Sequence, residues 1–417
     1  MKYNTFTLSN GLRIIHRPLS SQVVYCGYGI NAGTRNEEPG EEGLAHFCEH
    51  ATFKGTSRRR AFHIINSLES VGGELNAFTN KADTVYYAAI LKDHLDRAVD
   101  LLTDIVFHSV YPEAELEKEK EVVCDEIESY NDSPAELIYD DFENIIFEGH
   151  PLGHNILGTS DKVRGYGHDD AMRFTSRFYL PPNAIFFAYG DVDFNRLVRL
   201  LEKGTSDFPD ATPWTESLKS PVSSVGEAMS GYDYHPQKKV VDRNTHQAHV
   251  MIGNRAYSVH DNKRMALYLI NNILGGPGMN ARLNLALREH NGLVYTVESS
   301  MANYSDTGVW AAYFGCDAHD IDKCLRLTRR ELDKFISAPL SEYQLRAAKK
   351  QLKGQIAIAC DNNEGFAIDF AKSFLHYGWE RDITHLMGNI DAITSEQIQE
   401  VAREIFAEDK MTTLIFK

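Results

Sequence analysis

Apolar positions along this chain switch between a period of two and a period of three to four, and the switches mark its elements. Asn10-Gly11, a hairpin turn signal, separates TFTL from LRIIHR, both able to alternate across a strand. A further strand is expected over 23–31, ahead of the loop AGTRNEEPGEEG. Over 43–54, Leu44, Phe47, Cys48 and Ala51 recur at helical spacing. A helix over 61–71 stops at Gly72-Gly73; strands follow over 74–79 and 84–91, then helices over 95–108 and 113–130. Strands and helices come in runs, which predicts an α+β sandwich with a mostly antiparallel sheet and not a doubly wound one.

Residues 204–239 break the rhythm, with Pro209, Pro213, Pro221 and Pro236 among Ser, Thr, Asp and Gly. We therefore expect domains over 1–205 and 240–417, joined by a linker over 206–239. Beyond it the order returns: a strand over 246–253, helices over 262–274 and 281–290, strands over 292–301 and 308–316, and helices over 321–336 and 341–360. YPEAELEKEKEVVCDEI can be laid on APLSEYQLRAAKKQLKGQI, a pseudo-repeat of one fold. In that alignment Glu126 falls opposite Gln355 and Glu119 opposite Ala348. Metal-site chemistry is thus expected in the first half alone.

A chain of 417 residues suits two domains better than one core. Lys plus Arg number 43 against 59 Asp plus Glu, a net charge of −16 that argues against nucleic acid as a partner. The N-terminus MKYNTFTLSNGLRIIHRP lacks the form of a secretory signal, and no apolar stretch would span a bilayer, so a cytoplasmic protein without a membrane partner is expected. The six cysteines form no CxxC pair and read as reduced thiols, with Cys48 and Cys124 assigned to packing. The loop with Gly275, Gly276 and Gly278 lacks the lysine of a phosphate-binding fingerprint.

His46-Phe47-Cys48-Glu49-His50 carries the candidate chemistry. On a helix, positions i, i+3 and i+4 share a face, so His46, Glu49 and His50 project together. Two imidazoles one turn apart suit one zinc ion, and Glu49 is placed to take a proton from water activated by it. A catalytic site needs a third protein ligand and an open position. The acidic helix KEKEVVCDEIESYNDSP offers Glu126, and also Glu121, Asp125 and Glu128, among which the residues themselves do not choose. Glu119 lies two turns before Glu126 on nearly the same face, placed to hold a ligating histidine in one tautomer.

GLAHFCEHATFKGT, ESVGGELNAFTNKADTVYY, HPLGHNILGT and LGGPGMNARLNLALREHNGLVYTV together resemble the inverted-zinc peptidase family of insulysin, pitrilysin and the mitochondrial processing peptidase. The resemblance covers nearly the whole chain, in order, and is nearest to the short bacterial branch. It implies Glu126 as third ligand and Glu119 as its supporting carboxylate. It further implies that Asn76, Ala77, Phe78 and Thr79 form a substrate-binding edge strand. Arg288 and Tyr295 would assist the chemistry from an opposing half, stabilising the oxyanion.

The expectation is a zinc metalloendopeptidase with one Zn2+ per chain, cutting oligopeptides or unfolded segments in a closed chamber formed by two chains. A homodimer is expected, or a heterodimer with a related subunit. The competing reading is a non-catalytic scaffold or substrate-binding subunit of a processing-peptidase-like heteromer.

Overall fold

The computed structural model describes residues 2–212 and 232–417; of the linker expected at 206–239, residues 213–231 lie outside the described residues. The chain forms two compact units. The first takes residues 2–129, 154–212 and 359–382, the second 130–153, 232–358 and 383–417. Each unit thus contains a segment from the other half of the sequence, an exchange that boundaries near 205 and 240 do not include.

The first unit is built on β1 (Asn4–Thr7), β2 (Arg13–Pro18), β3 (Val23–Ile30), β4 (Glu74–Thr79), β5 (Thr84–Leu91) and β6 (Ala184–Gly190), in the order β1-β2-β6-β3-β5-β4. Every pairing is antiparallel except β2 with β6. Central β6, AIFFAYG, is buried at every position, as expected of a strand covered on both faces. Two helices carry the polar side chains of interest: α1 (Leu44–Thr52) and α2 (Glu113–Asn131).

A third helix of this unit, α3 (Asn363–Tyr377), comes from the second half of the chain and packs on β3 and β6. Phe370 lies within aromatic contact of Tyr3, Phe187 and Tyr189, and the Arg17 guanidinium sits 4.3 Å from the Phe366 ring. Each buried Phe contributes roughly 1.5–3 kcal/mol from removal of apolar surface. The Arg13 guanidinium donates to the carbonyls of Phe374 and Leu375, at 3.1 and 3.0 Å, in the last turn of the helix, where the dipole favours a cation. Gly378, at φ 65°, ends the helix in the left-handed conformation.

The second unit repeats the plan. Strands β7 (Lys238–Val241), β8 (Ala248–Ala256), β9 (Val294–Asn303), β10 (Gly308–Cys316) and β11 (Thr412–Phe416) run in the order β7-β11-β8-β10-β9. Only β7 with β11 is parallel. Without its outermost strand β1, the first sheet has the same order with its parallel pair at the same place. Helix Pro134–Ile146, from the first half, covers this sheet as α3 covers the other. Its Leu137, Ile138, Phe142 and Ile146 join Met251, Val309, Tyr313 and Phe416 in one core. The fold is α+β, two similar sandwiches that are pseudo-repeats of one another.

Several second-half elements differ from the sequence pattern. The strands expected over 246–253 and 292–301 are Ala248–Ala256 and Val294–Asn303. The helix expected over 281–290 is a π-helical turn over Asn284–Glu289, in which the His290 N–H reaches the Leu285 carbonyl. The physical reason is local competition. The Asn291 side chain donates to the Ala286 carbonyl at 2.8 Å, taking the acceptor that an α-helical His290 N–H would use.

Candidate metal centre

Helix α1 starts at Gly43, whose φ of 89° is left-handed and whose missing Cβ would lie 2.6 Å from the Leu157 carbonyl oxygen. Its free N-terminal amides are met by Glu37, whose carboxylate accepts from Gly43 N at 3.1 Å and Ala45 N at 2.8 Å. An anion there also complements the helix dipole. His154 Nε2 lies 2.8 Å from the same carboxylate and braces it. Phe47 and Cys48 turn into the core and are fully buried, as is Cys124 almost completely. His46, Glu49 and His50 are left on the opposite side.

That side faces α2. His50 Nε2 lies 3.3 Å and His46 Nε2 3.8 Å from Glu126 Oε2. The three donor atoms all lie within 4.8 Å of one another. A tetrahedral ion with bonds of about 2.0–2.1 Å separates its ligands by about 3.3 Å, so the set fits zinc with little movement. Three protein donors, and a Glu126 side chain that is 45% exposed, leave a side open to solvent. His46 Nδ1 is buried without a hydrogen-bond partner among the described residues, so this imidazole is not held as a structural hydrogen-bonding group. His50 Nδ1 is instead bonded to Glu119 Oε1 at 2.9 Å, and Lys54 Nζ meets the other oxygen of Glu119 at 2.5 Å.

The electrostatics pull the two imidazoles apart. Burial, reinforced by the charge of His50, pushes His46 well below the usual histidine range. Burial would lower His50 too, but hydrogen bonds with Glu119 and Glu126 and the nearby Glu49 bring it up to about 9. The bond from His50 draws Glu126 below the usual carboxylate value against the opposing effect of burial. Glu119 lies below it as well, because His50 and Lys54 outweigh burial. Without an ion, then, the carboxylates hold a proton on His50; a dication would take its place.

Glu49 is nearly buried, and burial raises its carboxyl above the usual value, partly offset by a hydrogen bond from Thr79 Oγ1 at 2.6 Å. Thr79 ends β4, which is the edge of the sheet and, among the described residues, pairs only with β5. Leu75 and Ala77 pack on the core, whereas Asn76 is exposed and Phe78 half-buried on the alternate face. Phe78 rests 6.2 Å from the Tyr87 ring.

Arg288 and Tyr295 belong to the second unit. Arg288 sits on the π-helical turn and is exposed; Tyr295, on edge strand β9, is 85% exposed. Asp317, His319 and Asp320 also gather in that unit, but at the surface and without an orienting partner of the Glu119 kind for His319 among the described residues. Glu37 and Lys54 were not singled out from the sequence. The only signal for Lys54 was its place four residues after His50, one turn on along the same face.

Residues 14–160 match the family model described as insulinase (peptidase family M16), and residues 167–352 match one described as peptidase M16 inactive domain. The first match includes His46, Glu49, His50, Glu119 and Glu126. Over 412 residues, 98% of this chain and 97% of the relative, the chain is 30% identical to the uncharacterized zinc protease YmxG of Bacillus subtilis. It is 28% identical over 401 residues to the mitochondrial-processing peptidase subunit beta of Rattus norvegicus, covering 94% and 80%. A protease from Helicobacter pylori has the same fold, with a TM-score of 0.88 at 23% identity over 100% of this chain and 99% of that one. From matches that run nearly end to end, the chain belongs to peptidase family M16, the insulinase family.

Proposed function

We propose that this protein is a zinc metalloendopeptidase in which His46, His50 and Glu126 hold one zinc ion per chain and Glu49 is the general base. The observation that carries this reading is the gathering of two imidazoles and one carboxylate at zinc-ligand spacing, with an open side. Bound there, zinc would supply Lewis-acid activation of water, lowering its pKa from about 15.7 toward about 7. Glu49 then takes the proton of the attacking water and passes it to the leaving amine. Glu119 keeps His50 in the tautomer whose Nε2 carries the lone pair.

The substrate is an extended peptide, added to the free edge of β4 by main-chain hydrogen bonds along Asn76, Ala77, Phe78 and Thr79. This mode selects oligopeptides and unfolded segments, since a folded chain offers no free strand. Arg288 and Tyr295 come from a second copy of the chain and stabilise the oxyanion, two copies enclosing the chamber. Their exposure supports availability to a partner's substrate. The alternative is a related subunit in place of the second copy, a reading supported by the likeness to a protein named as a subunit.

Replacing Glu49 by Gln tests the assignment. The variant should bind zinc as the parent does but lose about 100-fold or more of its cleavage of a quenched peptide. Cleavage at the parental rate would remove Glu49 from this role.

A further inference from the structure

Helix α1 ends at Thr52, and Lys54 lies in the turn beyond it, its own N–H bonded to the Ala51 carbonyl at 3.0 Å. Its side chain runs back to Glu119, with Nζ 2.5 Å from Oε2. The other oxygen of that carboxylate, Oε1, is 2.9 Å from His50 Nδ1. Glu119 is 7% exposed at its side chain, so neither oxygen can rely on water. The neighbouring cation on α2, Lys120, is turned to Glu117 at 2.5 Å.

A carboxylate gripped at one oxygen alone swings about its last torsion, a broad two-fold rotor. Gripped at both, it has one orientation. We infer that Lys54 is a positioning residue of the metal centre: by holding Glu119 Oε2 it aims Oε1 at His50 Nδ1, which leaves His50 Nε2 directed at the ion. This rests on the zinc reading given above, and it assigns a function to a residue that touches neither ion nor substrate.

The sign of the effect separates positioning from simple charge. Removing a nearby cation would, by Coulomb's law alone, tighten the binding of a dication. Loss of positioning loosens it, as removal of groups that orient metal ligands does, by about 10–100-fold.

The experiment measures zinc dissociation constants of the full chain, stripped of metal, by competition with a chromophoric chelator. Lys54→Met should bind zinc about 10-fold more weakly than the parent. Lys54→Arg, which keeps a charged donor, should recover most of the loss. In a Glu119→Gln background, Lys54→Met should cost nothing further, because its effect passes through Glu119. Melting of the metal-free forms reports folding, and Lys54→Gln serves in place of Lys54→Met if the latter does not fold. Binding by Lys54→Met, or by Lys54→Gln in its place, as tight as the parent or tighter overturns the inference and leaves the zinc reading standing. A parent chain that binds no zinc overturns both.

Discussion

Thr79 Oγ1 donates to Glu49 Oε2 at 2.6 Å, so the last residue of edge strand β4 holds the carboxylate proposed to move the proton. One short strand thereby presents a free main-chain edge and orients the base beside it. A hydrogen bond to the charged form favours ionisation. Thr79→Val should therefore raise the Glu49 pKa further and lower cleavage by about 10-fold near neutrality. The acid limb of the kcat/KM profile should move to higher pH, with Thr79→Ser close to the parent. An unmoved acid limb in Thr79→Val would separate Thr79 from the base.

The helix lent to the first unit is anchored by charge as well as by its aromatic face. Asp83, buried beside β5, lies 2.9 Å from His376 Nε2 and 3.2 Å from Lys372 Nζ. Burial alone would raise its carboxyl, but His376 and Lys372 hold it down at about 2. A carboxyl depressed on folding adds stability above its unfolded pKa of about 3.9, and loses it as the pH falls through the folded value. Asp83→Asn should thus cost about 2 kcal/mol at pH 7, where it removes the charged acceptor that faces half-buried Lys372 and His376. The gap between variant and parent should narrow between about pH 4 and 2. Denaturant titrations at pH 7 and pH 3 check this, and an equal gap at both would contradict it.

The proposed sharing of sites between two copies predicts complementation. Glu49→Gln chains keep Arg288 and Tyr295, while Arg288→Ala chains keep the base. Mixed dimers of the two should recover up to about a quarter to a half of parental cleavage, although each variant alone is nearly inactive. Verified mixed dimers without recovery would place Arg288 outside the site.

Much of this architecture was legible in the chain, for identifiable reasons. Asn10-Gly11, the alternation in 84–91 and the helical spacing in 43–54 are local signals, and each marks an element. Strand β6 gave no such signal, because AIFFAYG is buried on both faces and has no period to read. The exchanged helices were hidden for another reason. Phe142 and Phe370 announce an apolar face, but nothing local says which sheet it will cover. At the site, spacing put His46, Glu49 and His50 on one side of α1. The choice of Glu126 over Glu121, Asp125 and Glu128 came from resemblance, and its distances to the imidazoles came from the fold. Glu37 and Lys54 act through contacts made across loops, which no periodicity encodes.

In the proposed function a chelatable zinc ion held by His46, His50 and Glu126 is what cuts peptides. The most direct measurement follows zinc content and hydrolysis of a mixed peptide library together, in the parent and in Glu126→Gln, before and after metal removal. The expected result is one zinc per parent chain, loss of cleavage on chelation, return of cleavage with added zinc, and neither tight zinc nor cleavage in Glu126→Gln. Undiminished zinc and cleavage in Glu126→Gln, or a zinc-loaded parent that cuts nothing in the library, would contradict it.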